Sequence, residues 1–162
     1  MRNISPLLKG VITGVSMVLF SLFLINTKQP SDTGLQYINY ALLAGGIAWT
    51  LLEYGRSPEY TGKFGDAFTQ GFRCFIVVVL IMVVFTIVYT LMHPEMAEEA
   101  AKFYKEDLIK KGDKTPAEIE TLAANAKKQF LTGNIMLTIF GWLITGAVFD
   151  AAGSALLTLR RR

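Results

Sequence analysis

The chain has 162 residues, 52% of them hydrophobic and 18% charged, with a mean hydropathy of +0.40. A soluble domain of this size spreads its charges more evenly, so the composition points to a single membrane domain over residues 1–162. The net charge of +3 comes from basic residues gathered where apolar runs end, which fits membrane orientation better than nucleic-acid binding. Cys74 is the only cysteine and His93 the only histidine, which excludes an intramolecular disulfide and a Cys/His metal site built by one chain.

A helix rises about 1.5 Å per residue, so a hydrocarbon core of about 30 Å takes about twenty residues. Four apolar segments meet that length, spanning residues 6–25, 35–54, 72–92 and 129–150. Uninterrupted runs such as residues 74–81 lack the alternation of barrel strands, which predicts helices. The first span opens on Ser5 and Pro6, a natural N-cap and first-turn pair. Arg2 and Lys9 precede its apolar run, but no small-x-small cleavage site follows, so an uncleaved span is expected rather than a removed signal. Pro30, Asp32 and Gly34 break the chain before the second span.

The link to the third span carries Glu53, Arg56, Lys63 and Asp66. Asp66 is a candidate cap for the third helix. The four, with Arg73, are a candidate cytoplasmic polar cluster that binds a lipid headgroup phosphate through its arginine and lysine. An ordinary charged interfacial loop is the plainer alternative.

Residues 94–128 read as two helices. Pro94 stands at a first helical position with Glu95, Glu98 and Glu99 in the opening turns, where acids complement the helix dipole. Gly112 breaks the helix, and Thr115-Pro116-Ala117-Glu118 restarts it as a capping box. Ile119, Leu122, Ala123, Ala126 and Phe130 follow at helical spacing into the fourth span, facing a stripe of Met96, Ala100, Phe103, Tyr104 and Leu108. The third and fourth spans are therefore expected to extend past the membrane as an antiparallel helical hairpin.

Asp150 interrupts the last apolar run, and an ionisable group there is a functional candidate by default. If both arms fold about residues 112–113, positions whose numbers sum to about 225 lie at one height at equal helical rise. That sets Asp150 against residues 72–75 and predicts an Arg73–Asp150 ion pair. The alternative is that Arg73 snorkels to the headgroups while Asp150 meets water. Gly10 and Gly14 on the first span, Gly45 and Gly46 on the second, and Gly146 and Gly153 on the fourth let helices approach closely, within one bundle or between chains. Scattered Ser and Thr residues such as Ser16 and Thr50 either line a polar path or back-bond within their own helices. No metal-ligand, P-loop or nucleophile–base motif is present in the sequence.

The arrangement resembles a bacterial membrane family known as domain of unknown function 4199, typical of the Bacteroidota. The resemblance rests on Lys9-Gly10 in the first span, on Phe-Gly-Asp-Ala-Phe-Thr-Gln-Gly-Phe over residues 64–72, and on Pro116-Ala117-Glu118-Ile119-Glu120 in the polar insert. A glycine-containing last span that ends in basic residues completes it. It implies a four-helix inner-membrane protein and carries over no catalytic residue, since the family has no established activity.

The sequence thus predicts an all-α integral membrane four-helix bundle with spans 3 and 4 extended into an extramembrane antiparallel helical hairpin. Both termini are expected on the cytoplasmic side of a bacterial inner membrane, with Arg2, Lys9, Arg56, Lys63, Arg73 and Arg160 to Arg162 inside. The expected function is non-enzymatic, without catalytic residue, metal or cofactor: an accessory subunit, assembly factor or lipid-associated scaffold. Membrane lipids and a homo-oligomer or membrane complex are the expected partners, and nucleic acid is not. The alternative is a small homo-oligomeric transporter or ion-coupled carrier using Asp150 with Arg73.

Overall fold

The computed structural model describes residues 4–27, 34–35 and 37–160. Arg2, the break at Pro30 and Asp32, and the last two arginines lie outside the described residues. Five helices form, α1 (Pro6–Asn26), α2 (Tyr37–Arg56), α3 (Phe64–Met92), α4 (Glu95–Lys111) and α5 (Pro116–Arg160), with no strand among the described residues.

Local chemistry sets the helix ends. Ser5 accepts the Leu8 N–H at 3.3 Å and Pro6 occupies the first turn of α1, satisfying donors that a helix start leaves open. Asp66, a candidate cap for α3 in the sequence, does not cap it; the helix already begins at Phe64, and the carboxylate in its first turn accepts from the Thr61 hydroxyl at 2.5 Å. Gly112 closes α4 with a left-handed φ of 66° and donates its N–H to the Leu108 carbonyl, a conformation that glycine adopts without a Cβ penalty. The capping box forms in both directions: Thr115 N–H donates to Glu118 Oε2 at 2.8 Å and Glu118 N–H to Thr115 Oγ1 at 3.4 Å.

Three helices, α1, α3 and α5, are long and apolar enough to cross a membrane. The 20-residue α2, expected as the second span, is long enough but falls outside that set. Asn39, Glu53, Arg56 and the rings of Tyr37, Tyr40, Trp49 and Tyr54 dilute its aliphatic residues. On α5 the apolar side chains Phe140, Ile144, Val148 and Leu156 are all exposed at intervals of four or eight residues, a stripe suited to lipid.

The chain divides into two compact units, Met1–Met82 with Ile139–Arg162, and Val83–Thr138. In the first, Met17, Leu43, Ile47, Leu51, Phe75 and Val78 form the buried apolar core. Glycines set its close approaches. A Cβ on Gly10 would meet the Cys74 carbonyl, one on Gly46 the Thr13 side chain, and one on Gly14 would stand 2.8 Å from Ile81. A Cβ on Gly146 would stand 2.6 Å from Phe75, and one on Gly153 2.7 Å from Leu51. Five of the six glycines singled out in the sequence therefore pack within one chain, where van der Waals contact and not hydrophobic transfer holds helices together in lipid. Gly45 is the departure: nothing lies within 4 Å of its would-be Cβ.

In the second unit, Leu108, Ile119 and Ala123 are buried. Lys127 binds Glu98 at 2.7 Å, Lys105 binds Glu120 at 3.2 Å, and the Thr86 and Thr138 hydroxyls meet at 3.2 Å. As one partner number rises the other falls by the same amount or nearly so, which is how antiparallel segments pair. Of the stripe expected on α4, Leu108 is buried and Met96 and Ala100 are half-buried, as are Ala97 and Ala101, whereas Phe103 is 73% exposed and Tyr104 is exposed too.

Candidate functional site

The polar groups of the first unit concentrate where α1 begins and α2 ends. Lys9 Nζ lies 2.8 Å from Glu53 Oε2, with the lysine side chain 3% exposed and that of the glutamate 28%. The same ammonium stands 5.5 Å from the centroid of the Trp49 ring, adding a cation–π contact. In the sequence Lys9 reads as a basic flank of the first span and as part of the family's Lys9-Gly10 feature, and its pairing with Glu53 is not legible, because no local spacing rule connects residues 9 and 53. A lysine one turn into an otherwise apolar helix, followed at once by a glycine, was the available signal. Gly10 brings α1 onto the Cys74 turn of α3, and the neighbouring lysine is drawn under cover with it.

The expected cluster of Glu53, Arg56, Lys63 and Asp66 does not assemble. Glu53 turns to Lys9 and Asp66 to Thr61, while Arg56 and Lys63 are exposed and, among the described residues, in no ion pair. The turn following α2, where Tyr60 N–H donates to the Ser57 carbonyl at 3.2 Å, separates the four residues between elements.

Asp150 is fully buried, and its carboxyl lies against Gly71, where any Cβ would collide with it. Ser154 donates to Oδ1 at 3.3 Å, and Oδ2 has no hydrogen-bond partner. The expected Arg73–Asp150 ion pair does not form: Arg73 is exposed. Counting placed the height within about one turn but not the direction. At 3.6 residues per turn, Arg73 points about 200° around the helix from Gly71. Asp150 is also shut off from bulk solvent. A buried carboxyl with one open oxygen is costly, which keeps it a functional candidate.

Between these groups, Thr50 Oγ and Cys74 Sγ both donate to the Gly46 carbonyl, at 2.9 and 3.6 Å. Ser16 likewise donates to the carbonyl of Ile12, so Ser16 and Thr50 satisfy their own helices. Ser21 instead receives a cross-helix bond from the Asn39 amide at 3.1 Å.

Two recesses open on this end of the unit. Lys9, Thr50, Glu53, Glu59 and Gln70 border a cleft of about 80 Å³, enough for a few waters or one small polar group. Arg56 and Arg160 border a second of about 300 Å³, together with Leu52, Gly55 and Leu157. Gly55 lets α2 and α5 come close beside it, since its would-be Cβ stands 2.6 Å from Leu157.

These features define an all-helical protein with helices of membrane-crossing length and polar groups held inside them. Residues 8–158 match the family described as Protein of unknown function (DUF4199). The chain belongs to that family. Comparison with the curated proteins and with the solved structures gives no match.

Proposed function

We propose that the chain is a non-enzymatic four-span protein of the bacterial inner membrane, acting as an accessory subunit, assembly factor or lipid-associated scaffold. In this reading α2 joins α1, α3 and α5 as a span despite its polar residues, because close glycine contacts pack one side of it against α1 and α5. Both termini are cytoplasmic, and residues 94–128 stand outside the bilayer as a helical hairpin. The observation that supports the reading is the surface of this segment. It is capped at Gly112 and Thr115 and clasped by two ion pairs, yet it leaves Phe103 and Ile109 exposed among charged neighbours. Large apolar side chains on an otherwise polar element suit a protein partner.

Native mass spectrometry after gentle extraction from the source membrane tests it. A stoichiometric foreign protein, lost on Phe103→Asp, is the expected result. Recovery of this chain alone, with both versions identical, counts against it.

The unpartnered Asp150 oxygen favours a second reading, an ion-coupled carrier working as a homo-oligomer. Lys9, buried in the same unit, then replaces Arg73 as the cation of the pathway. Asp150→Asn in reconstituted vesicles checks it: the expected outcome is loss of pH-driven uptake, and uptake that continues unchanged removes Asp150 from the mechanism.

A further inference from the structure

We infer that the recess between the C-terminal turns of α2 and α5 is a phosphate site for an anionic phospholipid headgroup, with Arg56 and Arg160 as its ligands. The inference rests on the reading of the chain as a lipid-associated membrane protein.

Each arginine alone has an ordinary explanation. A cation in the last turn of a helix complements the helix dipole, and both occupy that position. Their convergence is different. Two like charges bordering one recess repel, and neither has an ion-pair partner among the described residues. The intrachain acids are elsewhere: Glu53 is bound to Lys9, and Glu59 borders the other cleft. An anion shared between the two guanidinium groups removes the repulsion. Guanidinium presents a planar fork of donors that matches phosphate oxygens two at a time.

The shape and setting agree with a lipid source. The recess holds about 300 Å³ and is walled by Leu52 and Leu157, so a charged rim meets an apolar wall, as the junction of a headgroup with its acyl chains requires. Leu52, Leu156 and Leu159 are exposed nearby in sequence, as lipid-facing residues are. Helix ends at the membrane surface lie at headgroup level, and basic pockets between spans hold anionic headgroups there. Residues 161 and 162 add two more arginines to the sequence.

The test uses the full chain in nanodiscs of equal parts phosphatidylglycerol and phosphatidylcholine, with retained lipid counted by native mass spectrometry. Wild-type protein is expected to keep phosphatidylglycerol preferentially. Arg56→Gln and Arg160→Gln should each lower that preference about fivefold, the worth of one basic residue near an anionic surface, and the double variant should abolish it. Both residues are exposed, so the variants should keep the helical signal and elution volume of the wild type. Inorganic phosphate, titrated in phospholipid-free detergent, separates the sources. Binding there that the double variant loses, without lipid selectivity in nanodiscs, assigns the same phosphate chemistry to a soluble ligand. Equal retention of both lipids together with no phosphate binding, or selectivity that survives the double substitution, overturns the proposal. The function reading is tested by partner recovery from the source membrane, so either can fail while the other stands.

Discussion

Lys9 and Glu53 meet at 2.8 Å with the lysine side chain withdrawn from solvent, whereas Lys127 and Glu98 meet at 2.7 Å with both side chains more than half exposed. The bonds are alike in length and unlike in consequence. An exposed pair is screened by water and salt and contributes little. A covered pair has given up its hydration, so removing one partner strands the other. The first unit therefore depends on its polar contacts and its glycine approaches, while the second depends on caps and the Leu108, Ile119 and Ala123 contacts and uses its ion pairs as trim.

Substituting Gly71 gives the largest expected effect. Gly71→Leu drives a side chain into the buried Asp150 carboxyl; the cost exceeds the roughly 1–3 kcal/mol of ordinary overpacking, because the new atoms also displace a buried polar group from its hydrogen bond. Folded protein in detergent, followed by size-exclusion chromatography, should be largely lost. Gly141→Leu, with nothing within 4 Å of the new Cβ, should behave as wild type. Equal tolerance of the two would remove the close-packed seam from the comparison.

Lys9→Met comes next. Breaking a fully buried pair typically costs about 3–5 kcal/mol; because Glu53 keeps 28% exposure, about 2–4 kcal/mol is expected here. Thermal unfolding in detergent measures it, and the double variant Lys9→Met with Glu53→Leu should recover most of the loss. A single variant as stable as wild type would show that the covered pair behaves like a surface one.

Acidification gives the smallest effect and separates the units. The Lys127 hydrogen bond holds the Glu98 carboxyl below its ordinary value of 4.5. Its contribution is thus present at neutral pH and disappears as the pH falls through that depressed value. Hydrogen exchange at a pH well below 4.5 should report slight loosening around residues 98 and 127, and raised salt at neutral pH should act in the same direction. Protection that is indifferent to both would make the pair structurally silent.

Much of the second unit was legible in advance. The helix break at Gly112 and the Thr115–Glu118 box are local, decided by residues close together in the chain, and both form as read, the break as a left-handed cap. The all-helical class is equally local, since apolar runs cannot leave backbone groups unpaired in lipid. Phe103 was misplaced because a stripe read at loose helical spacing does not say which of two neighbouring faces is covered.

The sequence by itself determined the helices, most of their caps, the membrane character and several of the glycines that approach other side chains, though not Gly55 or Gly71, because propensity, periodicity and backbone freedom act over a few residues. Only the tertiary structure decided which charges meet. Lys9 with Glu53, Asp150 against Gly71, and Arg56 on one recess with Arg160 all bring together residues far apart in the chain. Their pairing depends on how each helix is rotated about its axis, and that rotation follows from where glycine lets one backbone come close to another.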